Sequence, residues 1–518
     1  MVTEIPPVTS RNGEMDPARL PHALYRAAQV REMDRMVIDE FGVPGAELME
    51  RAGAAAFREL RRTWPGARSV AVLAGLGNNG GDGFVIARLA AEAGLEVRVL
   101  QVGDADRTGG DAQAHAKRFR ETGAAWESFG RIPDRVDVIV DALLGTGLDR
   151  SVSGPYADAI RQMNAHRAPV LSADIPSGLD ADTGAVMGVA VAADVTVTFI
   201  ALKQGLFTGE GPEACGRVVF AGLEAPPAIF ARQILSARRL DWRKQGSLLE
   251  RRSRSAHKGH FGHVLVVGGN YGLAGAARLA SEAAARAGAG LVSLATRPEH
   301  VAAVVAARPE VMVQGLDDPA GLEALLERAT VVAVGPGLGR DDWAGGLWQR
   351  VLSAGLPLVV DADALALLGE QPQRRDDWVL TPHPGEAARL LGIDPATVQH
   401  DRFAAAAELQ GRFGGAVVLK GAGTLVHGGG TRPPAVCTQG NPGMATGGMG
   451  DVLTGIVAGL LAQGYDPGAA AETGVCLHAA AADRAARGGE RGLLAGDLFA
   501  EIRPLINGVP VTGREGAQ

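Results

Sequence analysis

Short apolar runs recur along this chain, and each ends on glycine, an acid or a polar turn. The first series is SVAVLAG (69–75), VRVLQVG (97–103), VDVIVDALLGTG (136–147), PVLSADIPSG (169–178), DVTVTFIA (194–201) and RVVFAGL (217–223). After a gap come HVLVVGG (263–269), LVSLAT (291–296), VVAVGPG (331–337), LPLVVDADAL (356–365), DWVLTPHPGE (377–386) and AVVLKGAGT (416–424). Val/Ile/Leu runs without polar alternation suit strands buried on both faces, and so predict parallel sheet. Between them the apolar period lengthens to three or four residues. Val30, Met33, Val37 and Phe41 predict one helix, and Ala276, Leu279, Ala280, Ala283 and Ala287 another. Alternating strand and helix predicts an α/β protein with right-handed crossovers.

The strand series breaks between about residues 225 and 255. Residues 231–260 hold nine Lys/Arg and two Asp/Glu, a local excess of positive charge in a chain of net charge −7. No strand or turn pattern is legible there. The chain therefore reads as an N-terminal domain over 1–230, a solvated basic linker over 231–255 and a C-terminal domain over 256–518. No short-period repeat is found.

Composition narrows the function classes. With 518 residues the length prior allows two or three domains, and 46% apolar against 21% charged residues excludes a disordered chain. The 72 glycines carry no G-X-Y period, which excludes collagen and leaves glycine-bearing turns and close-packed helices. A net charge of −7 argues against a nucleic-acid binder. Cys215, Cys437 and Cys476 are too few and too dispersed for a disulfide framework or a CxxC metal site. The acidic, proline-bearing N-terminus has no apolar h-region, and no run approaches 18 apolar residues. The expectation is a cytoplasmic protein without a membrane span.

In the N-terminal half the sharpest feature is GLGNNGGDGFVIARLA (75–90), between a strand and a helix. A turn there aims backbone N–H groups at an anion, and Gly77, Gly80, Gly81 and Gly83 allow close approach and positive φ. Asp141, Asp174 and Lys203 follow three other strands. In a doubly wound sheet the carboxyl ends of the strands converge on one crevice, so Asn79, Asp141, Asp174, Ser177 and Lys203 should share a site. A single carboxylate there would be an ordinary helix cap, but several at successive strand ends are harder to assign to caps. Oxygen donors from Asn79, Asp141 and Ser177 suit a hard cation of low charge.

These residues carry a resemblance. VPGAELMERAG (43–53), GLGNNGGDGF, DALLGTGL, ADIPSGLDADTG and ALKQG together resemble the YjeF N-terminal family, over about residues 24–225. The resemblance implies a Rossmann-like three-layer αβα sandwich that interconverts the R and S forms of hydrated NADH and NADPH (NADHX and NADPHX). It implies that Asn78, Asn79, Gly80, Gly81 and Asp82, with the loop Gly145, Thr146, Gly147, Leu148, Asp149, Arg150 and Ser151, bind the dinucleotide. Asn79, Asp141 and Ser177 would be potassium ligands, Asp174 the catalytic carboxyl and Lys203 its catalytic neighbour. The nicotinamide is then a substrate, and no hydride moves.

In the C-terminal half, QGNPGMATGGMGDVLTGIVAGLLAQG (439–464) places glycines and Asp451 before an apolar helix, an arrangement suited to phosphate. The plain alternative is a glycine stop followed by an Asp cap. LKGAGT (419–424), GPGLG (335–339), DADAL (361–365) and TPHPGE (381–386) again put polar groups after strands, and two prolines stiffen the turn around His383. With HKGHFGHVLVVGGN, GLAGAARLASEAAARAGAGLV and ARPEVM, these motifs resemble the ribokinase-like superfamily, and more closely the YjeF C-terminal family, over residues 257–465. The implied domain is a ribokinase-like αβα sandwich that dehydrates S-form NAD(P)H hydrate with ADP or ATP. Lys420, Gly421, Ala422, Gly423, Thr424 and Gly450 would hold the adenine nucleotide. Ala276, Gly339, His383 and Asp451 would contact the hydrate, with Asp451 the base. Magnesium is expected with the nucleotide, without a dedicated ligand cluster, and the enzyme is expected as a homo-oligomer.

Two other readings remain open at this point. One is a ribokinase-like kinase of a vitamin-type alcohol with an N-terminal nucleotide-binding module. The other makes the first half a non-enzymatic sensing or interaction domain.

Overall fold

The computed structural model describes residues 20–508. It divides into two compact units that meet in sequence between Arg238 and Arg239.

The first unit is built on a seven-stranded, wholly parallel sheet. From edge to edge its strands are Ala125–Ser128, Glu96–Gln101, Ser69–Ala74, Val138–Ala142, Val170–Ala173, Val195–Phe199 and Arg217–Ala221. The period-two alternation of a strand sorts its residues between two cores. Val70, Val72 and Ala74 join Ala56 and Leu60 of helix Gly45–Thr63, Phe84 and Ile86 of helix Asn78–Glu92 and Phe119 of helix Gly110–Arg120. Ala71 and Leu73 join Ala159, Ile160 and Met163 of helix Gly154–Ala165. Helices therefore cover both faces, as the uninterrupted apolar runs require.

The second unit carries the strands Met312–Gly315, Leu291–Thr296, His263–Val267, Val331–Val334, Leu358–Val360, Trp378–Leu380 and Ala416–Leu419, in that order and all parallel. Thr424–His427 and Ala435–Cys437 follow as antiparallel neighbours. Val264, Val266, Val331 and Ala333 pack with helices Ala274–Ala287, Met449–Ala462 and Pro467–Ala485 in one core. The alternate residues Leu265, Val332 and Val334 are equally buried, and helix Asp342–Ser353 packs on Val331–Val334. Helices Ala274–Ala287 and Met449–Ala462 touch closely because Gly455 and Gly459 have no side chain. A Cβ on Gly459 would lie 2.7 Å from the Ala284 carbonyl oxygen.

Most of the periodic positions are buried, but on helix Ala274–Ala287 Ala276 and Leu279 are only half-buried. Val30, Met33 and Val37 are buried on helix Ala27–Asp39, whereas Phe41 lies past its end and is exposed. The stretch read as patternless also contains structure, namely strand Ala237–Leu240 and helix Trp242–Gly246, which Asp241 caps through Lys244 N. Both are too short to leave a periodic signature. Among the described residues, no helix is long and apolar enough to cross a membrane.

Candidate functional sites

In the first unit the sheet order brings the ends of Ser69–Ala74, Val138–Ala142, Val170–Ala173 and Val195–Phe199 side by side. The motif after the first of these is not the glycine turn expected from its composition. Asn78, Asn79, Gly80, Gly81 and Asp82 are already helical, within Asn78–Glu92, and none of Gly77, Gly80, Gly81 and Gly83 has positive φ. Close approach is what requires glycine here: a Cβ on Gly80 would strike the Gly75 carbonyl, and one on Gly83 would lie 2.6 Å from the Ala142 methyl.

Asp141 is fully buried at the end of its strand. Its carboxylate accepts from Ser172 Oγ (2.8 Å), Ser177 N (2.8 Å) and Ser177 Oγ (2.6 Å). Burial pushes its pKa up, and the Ser177 bonds pull against that. Asn79 Nδ2 donates to the Leu144 carbonyl (2.9 Å), while Asn79 Oδ1 is buried with no hydrogen-bond partner. Leu144 N in turn donates to Ser177 Oγ (2.8 Å), so Asn79, Asp141 and Ser177 form one oxygen-rich cluster. The loop Gly145–Ser151 follows directly, with Gly147, Asp149, Arg150 and Ser151 exposed and Thr146 and Leu148 half-buried. Arg31 reaches it and donates to the Thr146 carbonyl (2.6 Å).

Asp174 has φ of +66°, a left-handed conformation that a non-glycine residue keeps only when its surroundings enforce it. The surroundings are visible. Its N–H donates to the Val197 carbonyl (2.7 Å), and its Oδ1 accepts from Phe199 N (3.2 Å) and ion-pairs with Lys203 Nζ. Lys203 is fully buried and also donates to Thr198 Oγ1 and the Phe199 carbonyl, both at 3.0 Å. Two further carboxyls share this field. Asp82 is driven well above the usual carboxylate range by burial and by the charges of Asp174 and Asp34, against Lys203. Asp34 is raised to about 6 by burial, which outweighs the attraction of Lys203. Asp82 lies one helical turn from Asn79 and feels the charges of the Asp174–Lys203 pair. Asp34, Arg31 and Thr198 were not anticipated from sequence.

In the second unit Gly448 takes φ of +90° and starts the helix Met449–Ala462, which carries Asp451 in its first turn. Asp361, at the end of Leu358–Val360, accepts from Lys420 Nζ (2.7 Å) and Thr454 Oγ1 (2.7 Å). A Cβ on Gly450 would lie 3.3 Å from Lys420 Nζ. Burial, then the charge of Asp361, raise Asp451 to about 7, with Lys420 opposing. Burial alone would lower Lys420, but Asp361 and Glu386 outweigh it and hold the ammonium form. Asp451 makes no hydrogen bond or ion pair with any described residue, so its carboxylate is available to a ligand.

His383 caps the helix Pro384–Leu391. Its Nδ1 accepts from Gly385 N (3.0 Å) and Glu386 N (3.3 Å), and Glu386 Oε2 accepts from His383 N (2.7 Å). The cap commits Nδ1 as acceptor and leaves Nε2 as the protonated nitrogen on a half-exposed ring. Glu386 Oε2 also stands 3.8 Å from Lys420 Nζ, which joins this turn to the Asp361–Lys420 pair. Gly421 has φ of +140°, and Thr424 Oγ1 donates to its carbonyl (2.9 Å), closing the turn Gly421–Thr424, in which Ala422 is exposed. Arg402, buried and lowered to about 10 by that burial, donates to the carbonyls of Leu419 (3.1 Å) and Lys420 (3.3 Å). Gly339 N donates to Asp363 Oδ2 (2.9 Å), two residues from Asp361, and Ala276 lines the neighbouring turn beside Gly337. Asp361, Glu386 and Thr454 lie inside or beside motifs visible in the sequence, but only the fold shows that they converge. No group of three His, Cys, Asp or Glu suited to a metal occurs among the described residues.

Comparison with known proteins assigns each unit. Residues 45–205 match the family of YjeF-related protein N-termini, and residues 264–504 match the NAD(P)H-hydrate dehydratase family. The bifunctional NAD(P)H-hydrate repair enzyme Nnr of Coxiella burnetii is 50% identical over 93% of this chain and 99% of its own. That of Escherichia coli is 44% identical over 96% and 97%. A ribokinase-like superfamily protein from Enterococcus faecalis, 30% identical, superposes on 54% of this chain and 98% of its own with a TM-score of 0.50. With both matched regions in order and relatives this similar along nearly the whole length, the chain belongs to the family of bifunctional NAD(P)H-hydrate repair enzymes.

Proposed function

We propose that the first unit interconverts R- and S-NAD(P)H hydrate at Asp174 and Lys203, and that the second returns the S form to NAD(P)H at Asp451. The observation that carries this reading is Asp451. It is an unpartnered carboxyl with a pKa of about 7, at a helix N-terminus beside Lys420 and Asp361. A base is most effective when its pKa matches the working pH.

In the second unit Asp451 takes the proton of the C6 hydroxyl as that oxygen attacks the terminal phosphoryl group of ADP or ATP. Lys420 and the N–H groups at the start of Met449–Ala462 bind the developing charge, an effect worth about 3–4 kcal/mol for one well-placed donor. Phosphate then leaves C6 and a C5 proton is lost, which restores the ring double bond. Gly421–Thr424 and Gly450 hold the nucleotide, and Gly339, Ala276 and His383 Nε2 face the hydrate. Magnesium enters with the nucleotide phosphates.

In the first unit the dinucleotide lies along Asn78–Asp82 and Gly145–Ser151. The unpartnered Asn79 Oδ1, with Asp141 and Ser177 beside it, supplies the hard oxygen set that a potassium ion requires. Bound there, potassium would fix the loop against the helix start.

The test is recovery of dihydronicotinamide absorbance from NADH hydrate in the presence of ADP. A stable phosphorylated alcohol with no recovery would overturn the dehydratase reading in favour of an ordinary kinase.

A further inference from the structure

The N-terminal segment lies outside the matched family region, which begins at residue 45, yet it is built into the first site. Strand Ala23–Tyr25 runs parallel to Leu202–Lys203, with Tyr25 paired to Lys203. The helix Ala27–Asp39 starts two residues later. Its first N–H, on Ala27, donates to Asp182 Oδ1 (2.7 Å), and Arg31 donates to the Thr146 carbonyl (2.6 Å). The helix therefore spans from the segment after Ser177 to the loop Gly145–Ser151. Val30, Met33 and Val37 face the core. Asp34, one turn on from both Val30 and Arg31, lies at the edge of that buried stripe. It is half-buried and makes no hydrogen bond or ion pair with any described residue, so it neither caps nor bridges anything. The charged groups whose fields act on it are Lys203 and Arg31, which attract its ionised form, and Asp174, which repels it, and Asp34 in turn raises Asp82.

We infer that Asp34 is a second catalytic carboxyl of the epimerase, working with Asp174 on the opposite face of the nicotinamide ring. The inference rests on the epimerase reading above. Inversion at C6 is assisted when a proton is delivered to the departing oxygen on one face and removed from the entering water on the other, which two carboxyls on opposite faces do without either moving around the ring. In one direction protonated Asp34 gives its proton to the C6 hydroxyl. The C–O bond breaks, its electron pair leaves with water, and the ring-nitrogen lone pair forms the C=N bond. A second water adds to C6 from the other face, its oxygen pair making the new C–O bond, and Asp174 takes the proton released. The reverse reaction exchanges the two roles. One proton is consumed and one gained, so the reactive form is the pair holding a single proton. Lys203 is bonded to Asp174 and not to Asp34, and Asp34 is held near 6 by burial, then by Lys203, Asp174 and Arg31.

The test uses the full chain with Asp34→Asn. Interconversion of R- and S-NADH hydrate is followed by chromatography without nucleotide, and the dehydratase rate on the S form with ADP serves as the control for folding. The expected result is a fall of at least about 100-fold in the epimerase kcat, with the dehydratase rate unchanged. The wild-type kcat should decline as pH rises through about 6, and the variant should lose that limb. An Asp34→Asn chain that interconverts the epimers within threefold of wild type overturns the inference and leaves the epimerase reading intact. A wild-type chain without interconversion overturns both. If the variant does not fold, the wild-type profile decides: a limb near pH 6 supports the pair, and a flat profile from pH 5 to 7 overturns it.

Discussion

Asp141 is fully buried and Asp451 half-buried, and their surroundings treat the two carboxyls differently. Asp141 accepts three side-chain or backbone bonds from Ser172 and Ser177 and is a fixed acceptor. Replacing it with Asn turns one acceptor atom into a donor aimed at other donors. Leaving such groups unpaired costs about 1–3 kcal/mol, which should lower Tm by about 2–4 °C per kcal/mol in a thermal melt of the full chain. Asp451 has no such bonds, and burial followed by Asp361 raises it to about 7. Its folded pKa lies above the unfolded value, so the folded state binds the extra proton between about pH 4 and 7, and this contribution to stability is lost as pH rises through about 7. Asp451→Asn should therefore melt higher than wild type at pH 8. The same variant should lose about 10²–10⁴-fold in dehydratase rate, and wild-type activity should fall as pH drops through about 7. A variant that melts lower at pH 8 and turns over normally would remove the base assignment.

Glycine shows what an element reveals only when packed. Gly411 lies in helix Arg402–Phe413 with open space where a Cβ would go. Gly411→Ala should stabilise the protein by roughly 0.5–1 kcal/mol. Gly455 lies in an equally regular helix, but a Cβ there meets the Ala280 carbonyl oxygen and lies 2.7 Å from the Ala283 methyl. Gly455→Val should cost at least about 3 kcal/mol, because backbone on the facing helix cannot yield cheaply. Denaturant melts of the two variants check the contrast. The same logic bounds how much was legible in the chain. Strands buried on both faces, such as Val331–Val334, announce themselves as apolar runs. The edge strands Ala125–Ser128 and Met312–Gly315 are largely exposed and carry no such run. Asn79, Asp141, Asp174 and Ser177 could be grouped from the sequence because each lies at or just past the end of an apolar run. Arg402 and Asp34 sit inside ordinary helices, and only the tertiary fold brings them to Lys420 and Lys203.

The two units complement each other chemically. The hydrate's C6 centre forms without a stereochemical guide, so both epimers arise, and a dehydratase specific for S would leave R to accumulate. An epimerase in the same chain converts that R form to S. This makes a prediction about the course of the reaction as well as its speed. With excess ADP, wild type should convert a mixed-epimer sample of NADH hydrate to NADH in one continuous phase running to completion. Asp174→Asn removes the carboxylate charge from the Lys203 pair and leaves the second unit intact. Its progress curve should split: a fast phase with an amplitude equal to the S fraction, then a slow phase at the rate of spontaneous epimerisation. Adding wild-type chain after the first phase should restore rapid completion. A single phase to completion with Asp174→Asn would mean that the second unit accepts both epimers, or that inversion does not pass through Asp174. Chromatography of the residual hydrate separates these outcomes, since only the second leaves R and S at their equilibrium ratio throughout.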